Sequence, residues 1–294
     1  MKNASTTLAL DIGGTKIAAA LVETGRILRR CEFPMSRGAG ADGWFAEIFE
    51  KTVDWQGQFG AVGAAVTGLV TDGRWSAVNP QTLPVPPDFP LVERLSAMFG
   101  VPANAWNDAQ AAAWGEFRQG VGAQLPATAT MAFLTVSTGI GGGVVAGGRL
   151  LGGLAGHFGQ SRLSSGIGDE PAEACISGRW IAAAAAEQGH APDAKAVFAA
   201  SRRGEGWAEA LLQQSAARFA TLCLNVQFAV DPQLLAVGGG IGLAPGYLDR
   251  VRAALSRLSP RLAPRLMEAG LGADAGLLGA ADLAETVCPV NERN

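Results

Sequence analysis

The sequence predicts an α/β protein built from two related lobes. Two observations carry this: strand-like and helix-like apolar patterns alternate along the chain, and a strand, glycine turn and strand occur twice. The first copy, residues 8–22, is an apolar run that ends in Asp11, crosses Gly13-Gly14-Thr15-Lys16 and resumes. The second, residues 133–145, repeats the arrangement around Ser137-Thr138-Gly139 and Gly141-Gly142-Gly143. Glycine supplies backbone conformations that other residues resist, so each copy reads as a hairpin with a tight corner. Such a corner presents backbone N–H groups and a Thr hydroxyl to phosphate oxygens, and an Asp at a strand end suits a hydrated Mg²⁺. Taken alone, the first copy also reads as an ordinary glycine hairpin with a solvated Asp. A third cluster, Gly238-Gly239-Gly240-Ile241-Gly242, lies between an apolar run and a helix expected over 247–258. It either lets a nucleotide approach the backbone or packs strand against helix; three such turns in one chain favour a nucleotide.

The elements follow in order. Residues 25–33 read as a third strand, and 42–53 have helical spacing, with Trp44, Phe45, Ile48 and Phe49 as a core face. Residues 60–68 form a buried strand that ends in Thr67-Gly68. The Pro-rich stretch 78–87, which contains Asn79, is long enough for a functional loop. A helix is expected over 91–99. Asn107-Asp108 then opens an Ala-rich helix to about Phe117. Two readings of that pair stand side by side. Both residues are good N-caps, and Asp108 is also a carboxylate at a strand end beside a cleft, fit to act as a general base. Beyond the second hairpin come a glycine-rich run (147–159), helices over about 171–187 and 207–230, and a last helix at 276–284 that packs back onto the first lobe. The expected division is 1–117 for the N-terminal lobe, joined by the C-terminal helix (about 276–290), and 118–275 for the C-terminal lobe.

A chain of 294 residues holds two domains with sizeable cores. With 48% hydrophobic and 17% charged residues the composition is that of a soluble globular protein. A net charge of −3 without a Lys/Arg cluster argues against nucleic acid as a partner. No signal-peptide core or apolar span of membrane length is present, which excludes a membrane partner and sets the expectation of a cytoplasmic protein. Cys31, Cys175, Cys223 and Cys288 lie far apart with no C-x-x-C pair and read as reduced structural thiols. His157 and His190 are too widely spaced for a compact ligand cluster, and His190, in a polar linker, reads as a surface residue.

In this order, residues 11–16, Thr67-Gly68, Asn79-Pro80, Asn107-Asp108, 137–143, 156–160, Glu173, Ser177-Gly178-Arg179 and 238–242 resemble the ROK family. That family includes sugar kinases and sugar-responsive repressors on the actin-like ATPase (ribonuclease H-like) fold, two lobes with a cleft between them. The resemblance spans nearly the whole chain. Residues 152–159 and 274–281 look most like the bacterial N-acetylmannosamine kinases of that family. The resemblance implies ATP-dependent phosphorylation of N-acetyl-D-mannosamine at O6, in sialic acid breakdown, by a homodimer. Asp108 would be the base, with Asn107 orienting the sugar, Gly68, Asn79 and His157 lining its pocket, and Glu173 bonding its hydroxyls. Asp11, Gly13, Gly14, Thr15, Lys16, Thr138 and Gly139 would surround the triphosphate and Mg²⁺, with Asp11 acting on the metal through water. Gly239 and Gly240 would lie against the adenosine.

Two departures from the family pattern matter. His157 stands where most members carry a sugar-contacting Glu, exchanging a fixed acceptor for a group that donates or accepts. Gln160 replaces a zinc-binding His, and 161–172 contains no cysteine, so no zinc is expected and this segment must order Glu173 by packing. The alternatives are a glucokinase or N-acetylglucosamine kinase of the same family and, from another class, a sugar-sensing transcriptional regulator. The family's repressors carry a helix-turn-helix before the first hairpin; ten residues precede Asp11, so no DNA-binding domain is expected.

Overall fold

The computed structural model describes residues 6–78, 83–163 and 170–287. They cluster into two units. Unit 1 holds the described residues up to Gln119, Leu151–Leu154 and those from Ala273; unit 2 holds Gly120–Leu150 and Ala155–Gly272.

Unit 1 opens with an antiparallel meander, β1 (Thr6–Ile12), β2 (Lys16–Glu23) and β3 (Arg26–Pro34). Helix α1 (Gly40–Lys51) leads to β4 (Ala61–Val66), and a small hairpin follows, β5 (Leu69–Thr71) with β6 (Arg74–Ser76). Next come α2 (Leu91–Phe99), β7 (Ala103–Asn107) and α3 (Asp108–Arg118). The sheet order is β3-β2-β1-β4-β7, with β4 parallel to both of its neighbours. Every residue of β4 is buried, as expected of a parallel strand covered on both faces. In α1, Trp44, Phe45 and Ile48 enter the core. Phe49, expected beside them, remains 38% exposed and lies on the ring of Phe99. It sits at the edge of the apolar stripe, where a helix face meets solvent.

Unit 2 repeats the plan. Its strands are β8 (Met131–Val136), β9 (Ile140–Ala146) and β10 (Arg149–Leu150). Four helices follow: α4 (Glu173–Ile176), α5 (Gly178–Glu187), α6 (Ala194–Arg202) and α7 (Gly206–Val230). Then come β11 (Leu234–Gly238), the short α8 (Gly239–Gly242), α9 (Tyr247–Leu255) and β12 (Leu266–Glu268). The sheet order is β10-β9-β8-β11-β12. Strand for strand, this is the order and direction found in unit 1: third, second, first, fourth, fifth. The α/β class is therefore that of a duplicated five-stranded sheet, and the repeat extends well beyond the two hairpins that revealed it.

Two stretches differ from expectation. The helix expected over 171–187 breaks at Ser177, whose extended backbone (ψ 169°) ends α4 and whose hydroxyl caps α5 by accepting from Trp180 N. Helix α6 is an additional element in the stretch between the expected helices; Asp193 caps it, its carboxylate accepting from Lys195 N at 2.9 Å.

The chain returns to unit 1 as α10 (Ala275–Val287), which packs on α3 and β4 at backbone distance. A Cβ on Gly279 would fall 1.8 Å from Ala111 O, one on Gly115 2.5 Å from Ala275 O, and one on Gly63 2.2 Å from Ala280 O. The obstacle is backbone in each case, so no side-chain rotation relieves it. Replacing Gly279 with Val should lower stability by about 3 kcal/mol or more, read as an earlier urea midpoint. An unchanged midpoint would show that α10 and α3 have room to part.

Candidate functional site

In unit 1 the candidate residues gather where parallel strands end. Register aligns Ile12, Val66 and Asn107 across β1, β4 and β7, so Gly13, Thr67 and Asp108 each follow at the same edge. Open α/β sheets bind ligands at the carboxyl ends of their strands. Asp108 is held there on both oxygens. Its Oδ2 accepts from Thr67 Oγ1 at 2.8 Å, and its Oδ1 from Ala109 N at 2.8 Å and Asn107 Nδ2 at 3.0 Å.

The cap of α3 is Asn107, whose Oδ1 accepts from Ala109 N at 3.0 Å and Gln110 N at 3.2 Å. Its Nδ2 also donates to Gly68 O at 2.9 Å, so its amide is fully used inside the protein. The turn Thr67-Gly68 is fixed from the other side by Trp75 Nε1, which donates to Thr67 O at 2.8 Å. Gly68 has a φ of +114°, and a Cβ on it would lie 2.5 Å from Ser76 O; the position excludes any other residue.

The first glycine hairpin closes through Gly13 N, which donates to Lys16 O at 3.0 Å. Gly14 is partly buried, and Thr15 and Lys16 are exposed. Lys16 Nζ pairs with Glu32 at 3.0 Å, and Glu32 also holds Arg30 at 2.7 Å. Asp11 is pushed up to about 7, first by burial and next by the negative charge of Asp108, against the pull of Lys16 and Arg30. The first turn of α10 abuts it, since a Cβ on Gly276 would lie 3.4 Å from Asp11 Oδ2. Gln110 Nε2 donates to Gly153 O at 3.0 Å and ties part of the glycine-rich run to α3.

In unit 2 the second hairpin turn is closed by Ser137 N donating to Gly139 O at 2.9 Å. It is clasped by α5, where Gly178 N donates to Ser137 O at 2.8 Å and Arg179 N to Thr138 O at 3.3 Å. Glu173 sits directly on this turn. Its Oε2 accepts from Ile140 N at 2.9 Å, and its Oε1 pairs with the Arg179 guanidinium. A Cβ on Gly139 would come within 2.5 Å of that carboxylate. His157 is partly buried and enters the short 3₁₀ turn Phe158–Gln160. The stretch around it is pressed onto β9: Cβ atoms on Gly142, Gly156 and Gly159 would all meet backbone within 2.4–2.5 Å. The third glycine cluster divides between its two readings. Gly239, with a φ of +85°, packs within 2.3 Å of Val136 O when given a Cβ, whereas Gly240 faces open space.

Asn79 lies outside the described residues, as do 164–169 and Cys288. Cys31, Cys175 and Cys223 are free thiols, and burial pushes Cys223 well above the usual thiol range. His190 is exposed and stacks flat on Trp207, ring centroids 3.5 Å apart. Among the described residues no group of three or more His, Cys, Asp or Glu is placed to hold a metal ion, and no helix is long and apolar enough to cross a membrane.

Several functional partners escaped the sequence. Arg218 Nη1 donates to Cys175 O at 2.8 Å while its guanidinium lies 4.6 Å over Trp180. Ser215 Oγ donates to Ile176 O at 2.7 Å and meets Tyr247 Oη at 2.8 Å. These contacts hold the last carbonyls of α4, the helix that carries Glu173. No local pattern in α7 marks either residue. Thr67 was visible only as half of a turn.

The family described as ROK matches residues 7–287. The chain is 45% identical over 288 residues to the bifunctional enzyme NanE/NanK of Brucella melitensis, covering 97% of this chain and 55% of that one. It thus spans about half the length of that relative. It is 41% identical over 290 residues to an N-acetylmannosamine kinase of Escherichia fergusonii, covering 95% of this chain and 98% of the relative. Among solved structures, it is similar to a ROK family glucokinase from Streptomyces griseus in complex with glucose and AMPPNP. That match has 28% identity and a TM-score of 0.79, covering 96% of this chain and all of that one. The ROK hexokinase of Thermus thermophilus matches at 32% identity with the same TM-score, covering 97% and 99% of the two chains.

The raised value of Asp11 has a consequence for stability. In the unfolded chain this group titrates near ~4, while the folded protein keeps its proton up to about 7. Between those values the folded state binds more protons, so stability falls as pH rises through the window and levels off above it. Replacing Asp11 with Asn should raise stability at pH 8 by roughly 2–4 kcal/mol, with the gain vanishing toward pH 4. Urea midpoints of the two proteins across this range check it; parallel curves would contradict it.

Proposed function

The chain belongs to the ROK family, and from that premise we propose that it transfers the γ-phosphoryl group of ATP to O6 of N-acetyl-D-mannosamine. The observation that carries the reading is Asp108, fixed at the carboxyl edge of the sheet by Thr67 and Asn107 and neighboured by the proton-hungry Asp11. The substrate is supported by the name of the Escherichia relative, which matches along nearly its whole length. The glucokinase complexed with AMPPNP supports ATP as the donor.

Phosphoryl transfer depends mainly on positioning and charge neutralisation. A free Asp, titrating near ~4, is far too weak to deprotonate an alcohol in advance. Asp108 therefore orients the O6 hydroxyl and takes its proton late, as the O–P bond forms. Thr67 and Ala109 aim the two oxygens of Asp108. Asn107, its amide consumed by Gly68, Asp108 and the cap of α3, acts on the sugar through the groups it fixes. Gly68, Asn79, His157 and Glu173 complete the sugar contacts.

Gly13, Gly14, Thr15, Lys16, Thr138 and Gly139 face the phosphates, and the open side of Gly240, next to Gly239, leaves room for the adenosine. Mg²⁺, when bound, neutralises charge on the phosphates. A single carboxylate ligand such as Asp11 suffices for it, because Mg²⁺ keeps most of its own waters. Zinc has no part in this reading. The same reading places the enzyme in the cytoplasm as a homodimer that works in sialic acid breakdown.

The glucokinase neighbour keeps glucose as the second candidate substrate. A coupled assay of ADP release with N-acetylmannosamine, N-acetylglucosamine and glucose should give the highest kcat/KM for N-acetylmannosamine; a higher value for glucose would overturn the substrate assignment. Replacing Asp108 with Asn should lower kcat by about 10²–10⁴-fold and leave the sugar KM nearly unchanged. Full turnover in that variant would remove Asp108 from the chemistry.

A further inference from the structure

The position of Glu173 is at odds with a simple sugar contact. Both of its oxygens are engaged by unit 2 itself, one by the backbone N–H of Ile140 and the other by the guanidinium of Arg179. Those two donors lie at the glycine turn assigned to the phosphates. Ile140 follows Gly139 directly, and Arg179 is anchored to the same turn through its own N–H to Thr138 O at 3.3 Å. A backbone N–H and an arginine fork are donors that carboxylate and phosphate oxygens share. The missing Cβ of Gly139 is what lets an anion rest on the turn. The Arg179 side chain is 48% exposed, so it remains open to an incoming ligand.

The backbone beneath Glu173 is anchored separately. Arg218 holds Cys175 O and Ser215 holds Ile176 O, so the carboxylate can rotate away while α4 stays in place.

We propose that Ile140 N–H and the Arg179 guanidinium form an anion subsite that Glu173 fills in the free enzyme. A phosphate of the bound nucleotide takes over that subsite and releases the Glu173 carboxylate to accept hydrogen bonds from the sugar. This rests on the kinase reading and adds to it a coupling between its two substrates. Whichever ligand binds first breaks the Glu173–Arg179 pair, and the second then meets a site already opened. Arg179 becomes a nucleotide contact, and Glu173 a placeholder in one state and a sugar acceptor in the other. Coupling of this kind is reciprocal.

Isothermal titration calorimetry of the full chain with Mg²⁺-AMPPNP and N-acetylmannosamine, each alone and in the presence of the other, tests it. Saturating AMPPNP should tighten sugar binding by the wild type about fivefold or more. Without sugar, E173Q should bind AMPPNP more tightly than wild type and, in separate titrations, the sugar more weakly. R179M should do the reverse, and in both variants the coupling should fall close to one. Opposite shifts on the two ligands are the signature, since a general loosening of the turn weakens both. Wild type that binds both ligands without coupling, or E173Q that binds AMPPNP no better than wild type, would overturn the inference and leave the kinase reading intact. Wild type that binds neither ligand would overturn both.

Discussion

The carboxyl ends of β1 and β7 set two aspartates on either side of β4, and parallel pairing leaves neither free to move away. Ile12, Val66 and Asn107 lie in one row across the three strands, so Asp11, one residue before that row, and Asp108, one residue after it, are fixed two residues apart along the sheet. Burial raises the cost of charge on Asp11 and the negative charge of Asp108 raises it further, so Asp11 keeps its proton up to about 7. Asp108 is bonded instead to Thr67, Asn107 and Ala109. Two chemically identical side chains are thus pushed toward different tasks by their surroundings. In the proposed reaction the first becomes an anion when Mg²⁺ binds, and the second is the acceptor aimed at the sugar hydroxyl.

That arrangement depends on backbone approach more than on side-chain packing. Gly68 adopts a φ closed to other residues and brings Thr67 over Asp108. Gly63, Gly115 and Gly279 let α10 settle against β4 and α3, which brings Gly276 beside Asp11. Unit 2 uses the same means. Gly139 makes room for the Glu173 carboxylate, Gly239 fits under Val136 O, and Gly142, Gly156 and Gly159 press the His157 stretch onto β9. The chain has 40 glycines, and at these positions they serve backbone contact. At Gly240, by contrast, an added Cβ would enter open space.

What the sequence disclosed was local. The hairpins at 8–22 and 133–145, the Ala-rich helix after Asn107 and the long α7 were legible because each writes its period into adjacent residues. The full duplication of two sheets was legible only as a repeated corner, since β10 and β12 are too short to show alternation. The double meaning of Asn107-Asp108 needed the third dimension. An N-cap and an aimed carboxylate look alike until Thr67 is seen across the sheet from Asp108. The contacts Glu173–Arg179, Arg218–Cys175 and Ser215–Ile176 were beyond reach for the same reason. Helix packing brings these partners together, and nothing in their neighbouring residues announces it.

In the proposed reaction Asp108, held at this strand end, meets the sugar hydroxyl that is phosphorylated. A crystal structure with N-acetylmannosamine, AMPPNP and Mg²⁺ bound tests it most directly. The primary hydroxyl of the sugar is expected within about 2.6–3.2 Å of an Asp108 carboxylate oxygen. A sugar seated with that hydroxyl out of reach of Asp108 would contradict it.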